Sequence, residues 1–571
     1  MVLGSSPSNG NGGAKAPAFN TIVWSLTRPH PAGFLAARWI VLRGLGVVFF
    51  SAFYSYAFQI QGLIGPHGIS PAVNYLAAAQ LHLEAPARYF QVPSIFWLMG
   101  AGATALRVAI GAGLVTSLLL VINLAPRVCI ALCTLLFLSI IGVSGVFASY
   151  QSDGMLLEAG LVALFFAPAG IRPGIGVRSA PSRIARFLLV WEWFRIYFES
   201  GVVKLASGDP QWQDLTALDH YYENGPLPTW IGWYVQHLPH AFHAIMTLST
   251  LLIELVLVWA VFLPRRYRLL LFALVTPLQM GIIATANYAF LNYLVLLLGV
   301  LLVDDVAVKR GLVSLRRYTR PKSHALSGNV DPLSKLLIRL RMGALRLMRT
   351  IFRSLTQLRS ESKAATRPRL NRLLSAMQLV FLALVFYATL LRFPLMSAAE
   401  LPAALRWQAA ALEPFRFANG YGLFAVMTRE RYEIEFQGTL DGETYVPYPF
   451  RYKPQNPKSP PGIYAPYQPR FEWNLWFASL GNASRSPWVL HAAAGLLRAE
   501  PDVLYLFAFD PFRGKRPREV RTVVYRYWFS SFADLRKRGV YWRRELLGTY
   551  APTLRWADDG SIEAVGPSPA K

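Results

Sequence analysis

The chain has 571 residues, 54% of them hydrophobic and 15% charged, and its 57 Lys and Arg against 31 Asp and Glu leave a net charge of +26. About 25% charged residues is usual for a soluble domain, so the composition excludes an ordinary soluble enzyme, and a mean hydropathy of +0.33 with 13% aromatics excludes disorder. No zinc finger, RNA-binding signature or base-reading helix accompanies the charge, which rules out nucleic acid as the partner and leaves a polytopic α-helical membrane bundle with its charge sorted to one side.

Residues 1–32 are polar and rich in Gly, Ser and Asn, which predicts a disordered tail without the apolar stretch of a signal peptide. A hydrocarbon core about 30 Å thick takes roughly 20 apolar residues per helix. On that measure there are about nine candidate spans, near 37–59, 104–124, 128–148, 154–169, 184–205, 243–263, 268–286, 287–303 and 375–395. The first eight make a bundle over 33–303. The ninth follows a basic segment, 304–374, which holds 17 Lys and Arg against 4 Asp and Glu, half of the charge excess. Basic residues mark cytoplasmic connections. With the N-terminus inside, Arg127, the arginines of 172–186, and Arg265, Arg266 and Arg268 fall on the same side as the basic loop. An odd number of spans then exports everything after the ninth. Cys129 and Cys133 lie one turn apart in the third span and read as packing. Anionic lipid at the basic loop is the one partner the charge itself argues for.

The fifth span carries Glu192, Arg195, Glu199 and Lys204. Ionisable groups in a span face the protein interior and pair, and the spacing puts Glu192, Arg195 and Glu199 on one helical face. Two readings follow: a structural ion-pair ladder with Lys204 snorkelling to the interface, or a site open to the exported side. Glu158 in the fourth span and Glu254 in the sixth are the other intramembrane carboxylates, each a candidate partner for Arg195 or Lys204. Asn287 and Asn292 flank the junction of the seventh and eighth spans, where polar side chains bridge helices.

The loop after the fifth span, 206–242, contains Asp209, Asp214, Asp219 and Glu223 and no Lys or Arg. Its acidic, aromatic and Gly/Pro-punctuated character marks a functional loop, with Lys204, Gly208, Asp209, Trp212, Asp214, Leu215, Thr216, Asp219, His220, Tyr222 and Glu223 as the candidate residues. His220, His237, His240 and His243 follow no established zinc spacing, so no metal is assigned.

Residues 396–555 predict an exported α+β domain, followed by a tail over 556–571. Segments 431–440 and 443–452 flank Asp441-Gly442, a hairpin signal, with Tyr432, Ile434 and Phe436 on one strand face. A proline-rich stretch with interleaved tyrosines predicts an ordered loop. Two helical patterns follow, over 472–480 and 487–498, and then a strand over 520–529. The domain has no Cys and so no disulfide framework. It shows no nucleophile, base and orienter set, and its aromatics and arginines suit a protein-binding surface. Asn482-Ala483-Ser484 is a glycosylation sequon.

The runs 152–168, 201–239, 254–268 and 286–305, with 419–438, 464–481 and 487–512 in the domain, resemble the lipase maturation factor family. The resemblance spans about 35–552. It implies a multi-pass protein of the endoplasmic reticulum membrane, without cofactor or catalytic residues, that helps secreted lipases fold and assemble through a lumenal domain. In a bacterial host the membrane would be the inner one and the client another exported protein. With only two cysteines, both in a span, the chain departs from the vertebrate members, and no thiol–disulfide role carries over.

A second resemblance covers 197–212, similar to a stretch of vitamin K-dependent gamma-glutamyl carboxylases. It implies the alternative of quinone chemistry with Lys204 as base, a desolvated lysine being able to titrate near neutrality. Glu199 nearby favours the charged lysine and weighs against that role.

Overall fold

The structure is a computed structural model and describes residues 33–148, 150–311, 369–393 and 402–566. The expected N-terminal tail, most of the basic loop and the end of the C-terminal tail lie outside the described residues. Nine helices occur at the nine expected positions. They are α1 (Leu35–Ala57), α2 (Ala103–Val121), α3 (Pro126–Val143), α4 (Gln151–Phe166), α5 (Arg183–Ala206), α6 (His240–Leu255), α7 (Arg265–Thr285), α8 (Leu291–Gly299) and α9 (Arg369–Leu390).

The count of nine spans is not reached by length and composition among the described residues. Five helices qualify: α1, α2, α3, α7 and α6 with its 3-10 continuation to Phe262. A sixth qualifies if α8, extended to Leu302, is joined to the helix Asp305–Gly311 across a 95° bend. The shortfall has physical causes. α4 has only 16 residues, the apolar part of α9 is Ser375–Leu390, and α5 carries Glu192, Arg195, Glu199 and Lys204 among its apolar residues.

That charged helix sits at the centre. α1 packs on α2, α2 on α3 and α3 on α4, while α5 contacts α4, α6, α8 and α9. The arrangement follows from the cost of charge in an apolar medium: the helix with ionisable groups goes inside, and apolar helices cover it. At one end of the bundle, Asp305 accepts the N–H groups of Leu35 and Ala36 at 3.0 and 2.9 Å. It thereby satisfies the open first turn of α1. Asp304 pairs with Arg265 at 2.9 Å.

The C-terminal domain is an antiparallel sheet in the order β2-β1-β3-β4-β5. Its strands are β1 (Arg431–Thr439), β2 (Val446–Pro447), β3 (Glu519–Phe529), β4 (Trp542–Trp556) and β5 (Ile562–Val565). The hairpin at Asp441-Gly442 forms, but its second strand is two residues long. Pro447 and Pro449 remove the N–H groups a longer ladder needs. Both faces of β1 are buried. Ile434 and Phe436 lie on the face covered by α10 (Arg470–Ser479), with α11 (Trp488–Leu497) over β3 and β4, while Glu433 and Glu435 on the other face are ion-paired with Lys453 and Arg544.

Candidate functional site

Along α5, Arg195 is fully buried. Its Nη2 pairs with Glu158 of α4, and its Nη1 lies 3.6 Å from Glu199 one turn on. The same Nη1 donates to the carbonyl of Asn419 at 2.7 Å. Glu158 accepts the Asn419 N–H at 3.0 Å. Glu199 accepts the Tyr421 N–H at 2.7 Å, and the Gln151 side chain accepts that of Gly422 at 3.0 Å. The bundle's charges therefore bind the backbone of 419–422, the segment leading into the sheet. Gly154 permits the approach, since a Cβ there would stand 2.3 Å from Asn419 Oδ1. Glu192 is also fully buried, and among the described residues neither of its oxygens has a hydrogen-bond partner.

Lys204 is 5% exposed and does not snorkel outward. Its Nζ donates to Glu254 at 2.7 and 2.6 Å and to Ser200 Oγ at 2.8 Å, and the Trp212 ring lies 5.0 Å away. The pairing is thus Arg195 with Glu158 and Lys204 with Glu254. Glu254, rather than Glu199, is the carboxylate that holds the lysine. Lys204 is thus the donor of a closed, buried set of bonds and does not face an open site, which weighs against a lysine base.

The loop 206–242 divides into two sets. Asp209 caps the helix Pro210–Gln213 through Gln211 N–H at 3.0 Å, and its other oxygen accepts the Met427 N–H at 2.6 Å. Gln211 donates to the Met427 carbonyl at 3.0 Å, and Trp212 to that of Phe424 at 3.0 Å. Asp209, Trp212 and Tyr222 are buried. Tyr222 packs with Trp233, Tyr527 and Trp542, a cluster built from both the loop and the sheet. Leu215, with φ 59°, and Thr216 are half-buried in the turn after Trp212.

The second set faces outward: Gly208, Asp214 and His220 are exposed. Half-buried Asp219 contacts His240 at 3.0 Å. Glu223 joins the sets, with one oxygen 3.3 Å from His220 Nδ1 and the other accepting the Phe529 N–H of β3 at 3.0 Å. The hydrogen bond to Glu223 raises the His220 pKa above its ordinary value. His220 and Glu223 line a cleft of about 450 Å³ with Arg429, Arg526, Trp528 and Glu545 of the C-terminal domain. His237 sits between the carbonyls of Trp233 and Ser530, at 2.7 and 2.9 Å.

Three contacts between bundle and domain escape the sequence reading. Arg470 and Asp153 form a fully buried bidentate pair, both bonds 2.7 Å. Arg431 donates to the carbonyls of Glu223, Gly225 and Pro226, closing the loop onto β1. Asn287 does not bridge helices as expected. Its Nδ2 donates to Leu227 and Gly462 carbonyls at 3.1 and 2.9 Å, and its Oδ1 accepts the Tyr464 N–H at 2.7 Å. Each partner is more than 50 residues away along the chain, so no local spacing announces it.

Comparison with known proteins places this architecture. The lipase maturation factor transmembrane domain model matches residues 36–310, and the lipase maturation factor C-terminal domain model matches 417–552. The chain is 32% identical to human lipase maturation factor 2, over 92% of this chain and 84% of that protein. It is 29% identical to mouse lipase maturation factor 1, over 94% and 90%, and 31% identical to chicken lipase maturation factor 2, over 91% and 82%. No solved structure matches.

Proposed function

The chain belongs to the lipase maturation factor family, and on that premise we propose that it is a multi-pass membrane factor that helps exported proteins fold and assemble, lipases being the clients its relatives' names indicate. It acts by binding, not by catalysis. All nine helices lie in the membrane, with the N-terminus and basic loop on the cytoplasmic side. The loop 206–242 and the C-terminal domain lie together in the lumen of the endoplasmic reticulum, or in the periplasm if the host is bacterial. Anionic headgroups accompany the basic loop. The domain boundaries follow as a bundle over 33–303, a loop over 304–374, a last span over 375–395 and a client-facing domain over 396–555.

The observation that carries this reading is the cleft shared by His220 and Glu223 of the loop with Arg526 and Trp528 of the sheet. An aromatic and an arginine at the edge of a mixed-charge cleft are the residue types that anchor protein partners. Exposed Asp214 and Gly208 extend the same loop surface. The buried residues Asp209 and Trp212 support it from beneath.

The test is co-expression with a secreted lipase, reading active dimer against total lipase protein. Trp528→Ala with Asp214→Arg is expected to lower the active fraction several-fold at unchanged membrane insertion. An unchanged active fraction would count against the cleft as the client surface.

A further inference from the structure

α1 and its C-cap carry Ile40, Val47, Tyr54 and Phe58 at spacings of seven, seven and four, which sets them on one helical face. All four are 36–51% exposed, and they point away from the face that buries Leu42, Leu45, Phe49 and Phe53 in the bundle. In a membrane-crossing helix such an apolar outer stripe meets lipid. At the C-terminal end of α1 the stripe runs into the proline-rich loop of the C-terminal domain, where the Tyr54 and Tyr467 rings lie 6.0 Å apart. A pocket of about 470 Å³ opens there. Tyr54, Phe58, Tyr464, Tyr467 and buried Phe471 line it, together with exposed Ile463 and Tyr505.

We propose that this pocket takes one acyl chain of a bilayer lipid, which enters sideways along the α1 stripe. Its volume falls in the range of about 300–1,000 Å³ typical of small-molecule sites. The lining is largely aromatic, and two of its polar side chains, Glu472 and Gln59, are committed to the backbone. Glu472 accepts the N–H groups of Arg451, Tyr452 and Lys453 at 2.9, 2.9 and 2.5 Å. Burial pushes its carboxyl up to about 7 against the pull of those three bonds. Gln59 donates to the Gln468 carbonyl and accepts the Phe471 N–H. The aromatic faces offer an acyl chain apolar contact without breaking these bonds. At the rim, Arg451 gives two of its nitrogens to the carbonyls of Phe507 and Tyr505. Its charge lies 5.1 Å from the Tyr505 ring, at the level where the headgroup of a lipid seated in the pocket would stand.

The experiment uses the full chain in nanodiscs containing phosphatidylcholine with a diazirine at the end of one acyl chain. After photolysis, adducts are mapped by mass spectrometry. Adducts are expected on Tyr464 and Tyr467 as well as on the α1 stripe. Ile463→Asp, which puts a charge at the entrance, is expected to lower the loop adducts by about tenfold or more while those at Val47 persist. Should that variant fail to insert, Tyr505→Ala at the exposed rim is expected to lower them several-fold. A parallel arm presents the same chain as diacylglycerol. Equal labelling means that the chain alone is recognised, and labelling by the phospholipid alone means that Arg451 reads the phosphate. Adducts confined to the stripe, or loop adducts unchanged in Ile463→Asp and Tyr505→Ala, would overturn the proposal.

Discussion

Lys204 and Glu254 illustrate how a buried pair is judged by what its removal leaves behind. Taking away one partner of such a pair strands a charge and costs about 3–5 kcal/mol, while replacing both with apolar groups is far milder. Lys204→Met is therefore expected to lower thermal stability by that amount, and Lys204→Met with Glu254→Leu to recover most of it. A lysine acting as a base predicts the opposite for client maturation, with no rescue by the second change. His220 makes a pH-dependent contribution. Its raised pKa means that the bond to Glu223 stabilises the folded protein fully below the ordinary histidine value of about 6.5. That contribution is lost as pH rises through the elevated folded value. Melting curves across this range should show a decline in the parent protein that His220→Gln flattens. At this scale the spacing of Glu192, Arg195 and Glu199 was legible, because one helical face follows from chain positions alone. Glu158 and Glu254 were legible as candidate partners, but which cation each meets was not, since they lie 37 and 50 residues from them.

The loop after α5 behaves as an element only because the C-terminal domain is present. Asp209 supplies an N-cap and a charge-assisted bond to the Met427 N–H at once. Losing a cap costs about 1 kcal/mol, and a hydrogen bond to a charged group about 1.5–3 kcal/mol. Asp209→Ala should therefore speed amide hydrogen exchange at Met427 by about tenfold or more. Exchange unchanged at that amide would mean that the loop is held by other contacts. The elements that sequence pattern exposed were those with clean periodicity: the apolar helices, α10, α11 and β3. β4 was not among them. Gly548 and Pro552 interrupt it, the register against β3 shifts three times, and its residues 543–547 are exposed, so no alternation survives. The second hairpin strand is shorter than its pattern predicts because Pro447 and Pro449 lack the N–H groups a longer ladder needs.

Across the whole molecule, helices and sheet are joined by buried ion pairs and by side chains bound to backbone, not by an apolar seam alone. Arg470 and Asp153 are the clearest case, with Tyr56 and Tyr150 stacked around the guanidinium at 4.2 and 5.5 Å. Arg470→Leu strands Asp153 and should cost about 3–5 kcal/mol. Limited proteolysis should then cut between α9 and β1 sooner than in the parent protein, and Asp153→Leu in the same chain should restore resistance. Equal cleavage rates in parent and single variant would show that the domain is anchored elsewhere. The division into a membrane bundle and a following mixed domain was legible from hydropathy and charge. Their interlocking was not, because it depends on contacts 175 residues apart and more.

The clamp on residues 419–422 has a consequence for biosynthesis. Glu199 waits for a backbone N–H that lies 222 residues further along the chain. At about 5–20 residues per second, the ribosome needs roughly 10–45 s to make it. During that interval α4 and α5 carry charges whose final partners do not yet exist. Nascent chains stalled before Asn419 are accordingly expected to expose the α4–α5 region to protease, and chains extended past Gly422 to protect it.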